Sequence, residues 1–169
     1  MSLENFDIRY SENIDLLFLN KWVSQDQVMR WLPFCDDKEM ESATSCWIGF
    51  SKFNASLTAL INNVPCGIAT LFLMPYKKVA HHCMFKIVVD PDFQNQGVGT
   101  SLIKNIKHLA KNHFRLELLH IEVMDKNPIL SLLFKQGFKQ VLYQEDYFKD
   151  GDTFIPRILL EANLLEDIP

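Results

Sequence analysis

The apolar run Ile87-Val88-Val89, broken by Asp90-Pro91 and followed closely by Gly97-Val98-Gly99 and an amphipathic stretch, constrains this chain more than any other feature. A run rich in Val and Ile reads as a buried strand, and the Asp-Pro dipeptide ends it. Glycines separated by one residue let the backbone turn tightly with its N–H groups converging. A helix that starts there adds its own unpaired N–H groups and the positive end of its dipole. Strand, glycine turn and helix N-terminus in that order form a seat for a phosphate or pyrophosphate. Two other phosphate loops do not fit. A dinucleotide-binding turn needs a third glycine where Leu102 stands, and a nucleotide-triphosphate loop needs a lysine between Gly99 and Thr100.

Val89-Asp90-Pro91 followed by Gln94-Asn95-Gln96-Gly97-Val98-Gly99 resembles the acetyl-CoA-binding motif of the Gcn5-related N-acetyltransferases (GNAT). Downstream, 118–123 reads as a second buried strand, followed by Asn127, a helix over 128–136 and Gly137-Phe138, which is similar to the second block of that family. Gly137 suits a helix C-cap with positive φ, and Pro128 suits a first helical turn. The resemblance spans residues 82–140. It implies an α/β fold of the GNAT type, a mixed, mostly antiparallel sheet flanked by helices on both faces. It also implies acetyl-CoA as co-substrate, contacted by Ile87, Val88, Val89, Gln94, Asn95, Gln96, Gly97, Val98, Gly99, Thr100 and Asn127. The implied reaction is direct acetyl transfer to a primary amine, on a small molecule or a protein N-terminus, with no metal. A catalytically silent acyl-CoA-binding module is the alternative.

A protonated amine must lose a proton before it attacks a thioester, so a base is needed, and backbone N–H groups near Val88 and Val89 can polarise the carbonyl. Glu122, on the strand before Asn127, is the first candidate, at a position resembling the base of the ribosomal-protein N-terminal acetyltransferases. In a mostly apolar strand its pKa would be raised by desolvation; alternatively it faces solvent or a structural arginine. His120 shares its face and is either a relay partner or a satisfied, half-buried histidine. His81 and His82 read as polar residues at a strand edge. Many relatives carry a tyrosine as general acid where this chain has Leu133 or Phe134. Tyr143 and Tyr147 are the candidates to replace it, unless water protonates the thiolate.

The 169 residues suffice for one domain with a sizeable core, and no repeat or linker divides them. No apolar run is long enough to span a bilayer, and Met1–Asp7 lacks the pattern of a secretory signal. Cys35, Cys46, Cys66 and Cys83 have no metal-site spacing and read as free thiols of a cytoplasmic protein. A net charge of −4 argues against nucleic acid as a partner. Residues 76–150 carry eleven basic and eight acidic side chains between two acidic flanks. Those flanks, if they border the acceptor pocket, suit a cationic amine. Lys104, Lys107 and Lys111 share a helix face that either attracts CoA phosphates or is simply solvated. Trp22, Trp31, Phe34 and Trp47 are either pocket or core, and Asp36-Asp37 either binds an ammonium or caps a helix. A homodimer is common among similar proteins.

The expected elements are a strand at 6–10, two short helices within 12–31 and a third over 37–50. Strands follow at 57–61, 66–73 and 82–89, then a helix at 97–113 and, after the second block, strands at 138–147 and 153–163.

Overall fold

The computed structural model describes residues 5–166, so the Met1–Glu4 part of the segment read for a leader lies outside them. Among the described residues, strands β1 (Phe6–Tyr10), β2 (Ser56–Ile61), β3 (Val64–Phe72), β4 (His82–Val89), β5 (Leu118–Met124), β6 (Lys139–Asp150) and β7 (Thr153–Asn163) form one sheet. Its order is β1-β2-β3-β4-β5-β7-β6. Every neighbouring pair is antiparallel except β4 and β5. The helices are α1 (Leu16–Val23), α2 (Asp26–Met29), α3 (Asp37–Gly49), α4 (Val98–Asn112) and α5 (Ile129–Lys135).

Local chemistry explains the joints. Asn62 and Asn63 both adopt left-handed φ, +51° and +63°, which is what a two-residue hairpin turn needs. The gap of 62–65 left between the expected strands at 57–61 and 66–73 is therefore shorter, and Pro65 falls inside β3, beside a register shift at Ala59/Leu60 where a missing N–H is tolerated. Asp36 accepts from Glu39 N and caps α3. Gly137, at φ +84°, closes α5.

The sheet is covered on both faces. Leu102, Ile103 and Ile106 of α4 and Leu133 of α5 pack with Phe85 and Leu119 in one core. Val98, Leu102, Ile106 and Leu109 recur at helical spacing along α4, with Ile103 and Ala110 beside them, and this stripe is its buried face. On the other side Trp22, Trp47 and Phe34 pack with Ile68 and Val88. A buried polar network ties β1 and α1 to β2. Asp15, fully buried, accepts from both Arg9 guanidinium nitrogens at 2.8 and 3.0 Å and from the Thr58 hydroxyl at 2.8 Å.

Candidate active site

β3 holds β4 as far as Val89, and β7 holds β5 as far as Met124. Between them, β4 and β5 pair only from His82↔Leu118 to Met84↔His120. Beyond those rungs the sheet splits, and a cleft of about 610 Å³ opens between its halves. The β4 edge from Phe85 to Val89 therefore faces the cleft without a strand partner. Unpaired N–H and C=O groups in that position are a template for an extended, amide-bearing ligand.

The cleft runs to the start of α4. Gly97 adopts φ +92°, and a Cβ built there would meet nothing within 4 Å. The first N–H bonded back into the helix is that of Ser101, to the Gly97 carbonyl, which leaves the N–H groups of the preceding turn free. Close packing seats this helix end. A Cβ on Gly67 would come within 2.9 Å of Leu102 Cδ1, 3.2 Å of the Val88 carbonyl and 3.3 Å of Val98 Cγ1, so glycine there lets α4 lie this near β3 without displacing its side chains. Asp90 anchors the turn from the other side. Buried itself, it accepts from the buried Trp22 indole N–H at 2.9 Å and from Asp92 N at 3.0 Å. Asn127 lines the cleft, and its Oδ1 accepts from Ile129 N at the head of α5.

Of the residues expected at CoA, Ile87, Val88, Val89, Gln94, Asn95, Gly97, Gly99, Thr100 and Asn127 all line the cleft. Two side chains do not. Val98 is buried in the core, so only its backbone can serve, and Gln96 points its amide to the Asp92 carbonyl. The lysines of α4 also lie off the cleft wall. Lys107 donates to the Gln136 carbonyl, and burial lowers its pKa.

Glu122 lines the cleft on the α1–α3 face of β5, but not in isolation. Arg157 Nε lies 2.7 Å from its Oε2. That nitrogen lacks hydrogen-bond alignment, so the contact is an ion pair rather than a directed bond. The guanidinium in turn sits 4.6 Å over the Tyr147 ring. An irregularity between Gln144 and Phe148 carries Tyr147 there, with Asp146 at φ +53°. Of the two surroundings the sequence allows for Glu122, the structure has the arginine: the carboxylate is charge-paired, and the purely apolar setting is not what it meets.

Tyr143 is corrected by register. It pairs with Ile158, which pairs with Val123, so it lies on the opposite face of the sheet from Glu122, and it does not line the cleft. His120 is the satisfied histidine: its Nε2 lies 2.8 Å from Glu161 Oε2, at the paired end of β4 and β5 and away from the cleft wall. Burial, then the neighbouring His120 and His81, lowers the pKa of His82. Trp22 is core, whereas Trp31, Phe34 and the buried Trp47 form one wall of the cleft. The acidic flanks contribute no carboxylate to that wall among the described residues, which removes the argument for a cationic acceptor.

Sequence reasoning missed Lys86 and Phe148, and the cleft-facing side of α5. Pro128, Ser131 or Leu132, and Lys135 recur at helical spacing, which was the available signal. Attention had fallen on Leu133, which is buried in the core, and on Phe134, which is not on the cleft wall.

A sequence model described as the Acetyltransferase (GNAT) family matches residues 18–138. The chain belongs to this family. A curated N-alpha-acetyltransferase of Sulfolobus acidocaldarius is 32% identical over 87 residues, 51% of each chain, so the match spans about half the length of that relative. Three solved GNAT-fold structures superpose on nearly the whole chain. Salmonella typhimurium yncA, with its cofactor acetyl-CoA, has a TM-score of 0.81 at 13% identity, covering 98% of each chain. A ribosomal-protein-alanine N-acetyltransferase from Brucella melitensis has a TM-score of 0.77 at 16% identity, covering 93% of this chain and 99% of the other. A spermidine N-acetyltransferase SpeG chimera from Vibrio cholerae and hSSAT has a TM-score of 0.75 at 16% identity, covering 96% and 97%. GNAT proteins with unlike acceptors thus share this backbone, and the fold does not choose the acceptor.

Proposed function

We propose that the chain is an acetyl-CoA-dependent N-acetyltransferase, a single domain over residues 1–169, that passes acetyl directly to a primary amine. The observation that carries this reading is the split between β4 and β5, which runs into the left-handed Gly97 and the free N–H groups of α4. Pantetheine amides suit the unpaired β4 edge, and the pyrophosphate suits the helix start. The acetyl-CoA in the yncA structure and the transferase names of the other relatives support the same ligand. Acetyl-CoA supplies an activated thioester; the protein holds it and the amine at reacting distance.

Glu122 Oε takes the proton from the acceptor ammonium, and Arg157 offsets the negative charge of that carboxylate before the proton arrives. N–H groups of β4 near Val88 and Val89 stabilise charge on the carbonyl oxygen. No tyrosine lines the cleft among the described residues, so water returns the proton to the thiolate. All four cysteines are free, which suits the reducing cytoplasm. Glu122→Gln tests the assignment: release of free CoA thiol in the presence of amine should fall about tenfold or more with acetyl-CoA affinity little changed. Unchanged turnover would remove Glu122 from the chemistry. Binding of acetyl-CoA without turnover of any amine would favour a binding module.

A further inference from the structure

The charge inside the cleft is uneven in a way the reaction does not require. Its wall carries Lys86, Lys135 and Glu122, and Glu122 is already neutralised by Arg157. Lys86 projects from β4 onto the α1–α3 face, the face of Glu122, in register with Thr70 and next but one to Val88. Its ammonium sits 5.8 Å over the Trp47 ring and 5.1 Å over the Phe72 ring. Among the described residues it makes no ion pair and no hydrogen bond. Ring faces hold an ammonium in place without cancelling its charge or using its N–H donors. A fixed cation, open to a cleft and short of a counter-ion, is one half of a binding contact.

We infer that Lys86 reads an anionic group on the acceptor, so that the preferred substrates are small amines carrying a carboxylate, such as free amino acids. This rests on the transferase reading and names the substrate class of that site. Lys86 and Val88, near which the proposed acetyl carbonyl lies, are next but one on β4 and so present to the same face of the strand. A carboxylate a few bonds from the attacking amine therefore shares the side of the cleft on which the Lys86 ammonium sits. The same cation disfavours polyamines, since a second ammonium would be driven toward Lys86 and Lys135.

The test uses matched pairs, an amino acid and the amine left by removing its carboxylate, together with spermidine and a neutral peptide N-terminus. CoA release is measured for wild type, Lys86→Met and Lys86→Arg. A hydrogen bond to a charged group corresponds to about ten- to a hundredfold in kcat/KM. Wild type should prefer the carboxylate-bearing member by that factor. Lys86→Met, which keeps the apolar stem on the rings, should lose the preference mainly through KM, and Lys86→Arg should restore part of it. Acetyl-CoA affinity should stay the same in all three. Equal rates within each pair, a preference that survives in Lys86→Met, or faster turnover of spermidine or the peptide would overturn the proposal and leave the transferase reading intact. Absence of turnover with every amine would instead sink the transferase reading. In that case the melting temperature with CoA and each amino acid decides: a rise lost in Lys86→Met supports the anion contact, and no rise overturns it.

Discussion

Removing the Asp90 carboxylate should cost stability and, on the proposed function, acetyl-CoA affinity together, because one side chain joins the core to the turn before α4. Asp90 is 7% exposed and Trp22 fully buried, so Asp90→Ala strands the indole N–H without an acceptor. An unsatisfied buried donor costs about 1–3 kcal/mol. The Asp92 N–H also loses its cap, worth about 0.5–1 kcal/mol at so short and exposed a turn. A total of about 1.5–4 kcal/mol is a large part of the ~5–15 kcal/mol of a typical domain, and lowers the melting temperature by roughly 3–16 °C. Urea unfolding of Asp90→Ala, Trp22→Phe and the double variant gives the coupling. Once the indole donor is gone, the loss of its acceptor matters less, so the two changes should fall short of additivity by about 1 kcal/mol or more. The KM for acetyl-CoA should rise as the turn before α4 loosens, with kcat changing less. Additive effects, or an Asp90→Ala variant within about 0.5 kcal/mol of wild type, would refute the reasoning.

Further outcomes follow from the same structure. Gly97→Ala forces a Cβ into φ +92°, at about 1–2 kcal/mol of strain in the turn, and should weaken acetyl-CoA binding by calorimetry although its Cβ meets no neighbour. Burial alone would raise the Asp15 carboxyl, but Arg9, the Glu12 backbone and the Thr58 hydroxyl outweigh it and hold it below its ordinary 3.8. A depressed folded-state pKa gives stability that is present above 3.8 and lost as pH falls through the folded value. The stability gap between wild type and Asp15→Asn should therefore narrow below that pH, and a constant gap would contradict the ion pair. Burial pushes the Cys66 and Cys83 thiols up to about 12, whereas Cys35 and Cys46 are exposed. A thiol reagent should thus label two cysteines in the folded protein and four after unfolding.

Local patterns made much of the fold and the α4 end of the cleft legible. The Val89-Asp90-Pro91 break, the glycine pair and the α4 stripe act within a few residues of one another, and they located the strand, turn and helix correctly. Asn127 and Gly137 worked in the same way, through a helix head and a helix end. The Glu122 end of the cleft was not legible, because it is assembled across the sheet. Glu122 faces the cleft in the strand where it was expected, yet its partner Arg157 comes from β7, and Tyr147 reaches that arginine only through an irregularity in β6. Tyr143 was misplaced because strand alternation fixes a face only once the register is known. Lys86 gave no signal, since its rings come from α3 and β3.

The sequence by itself therefore determined the strand, the glycine turn and the helix start that offers free N–H groups, because these and left-handed glycine are properties of contiguous backbone. Only the tertiary structure decided which charges share the cleft, because side chains from separate strands and helices share a dielectric and a distance only after the sheet has formed and split.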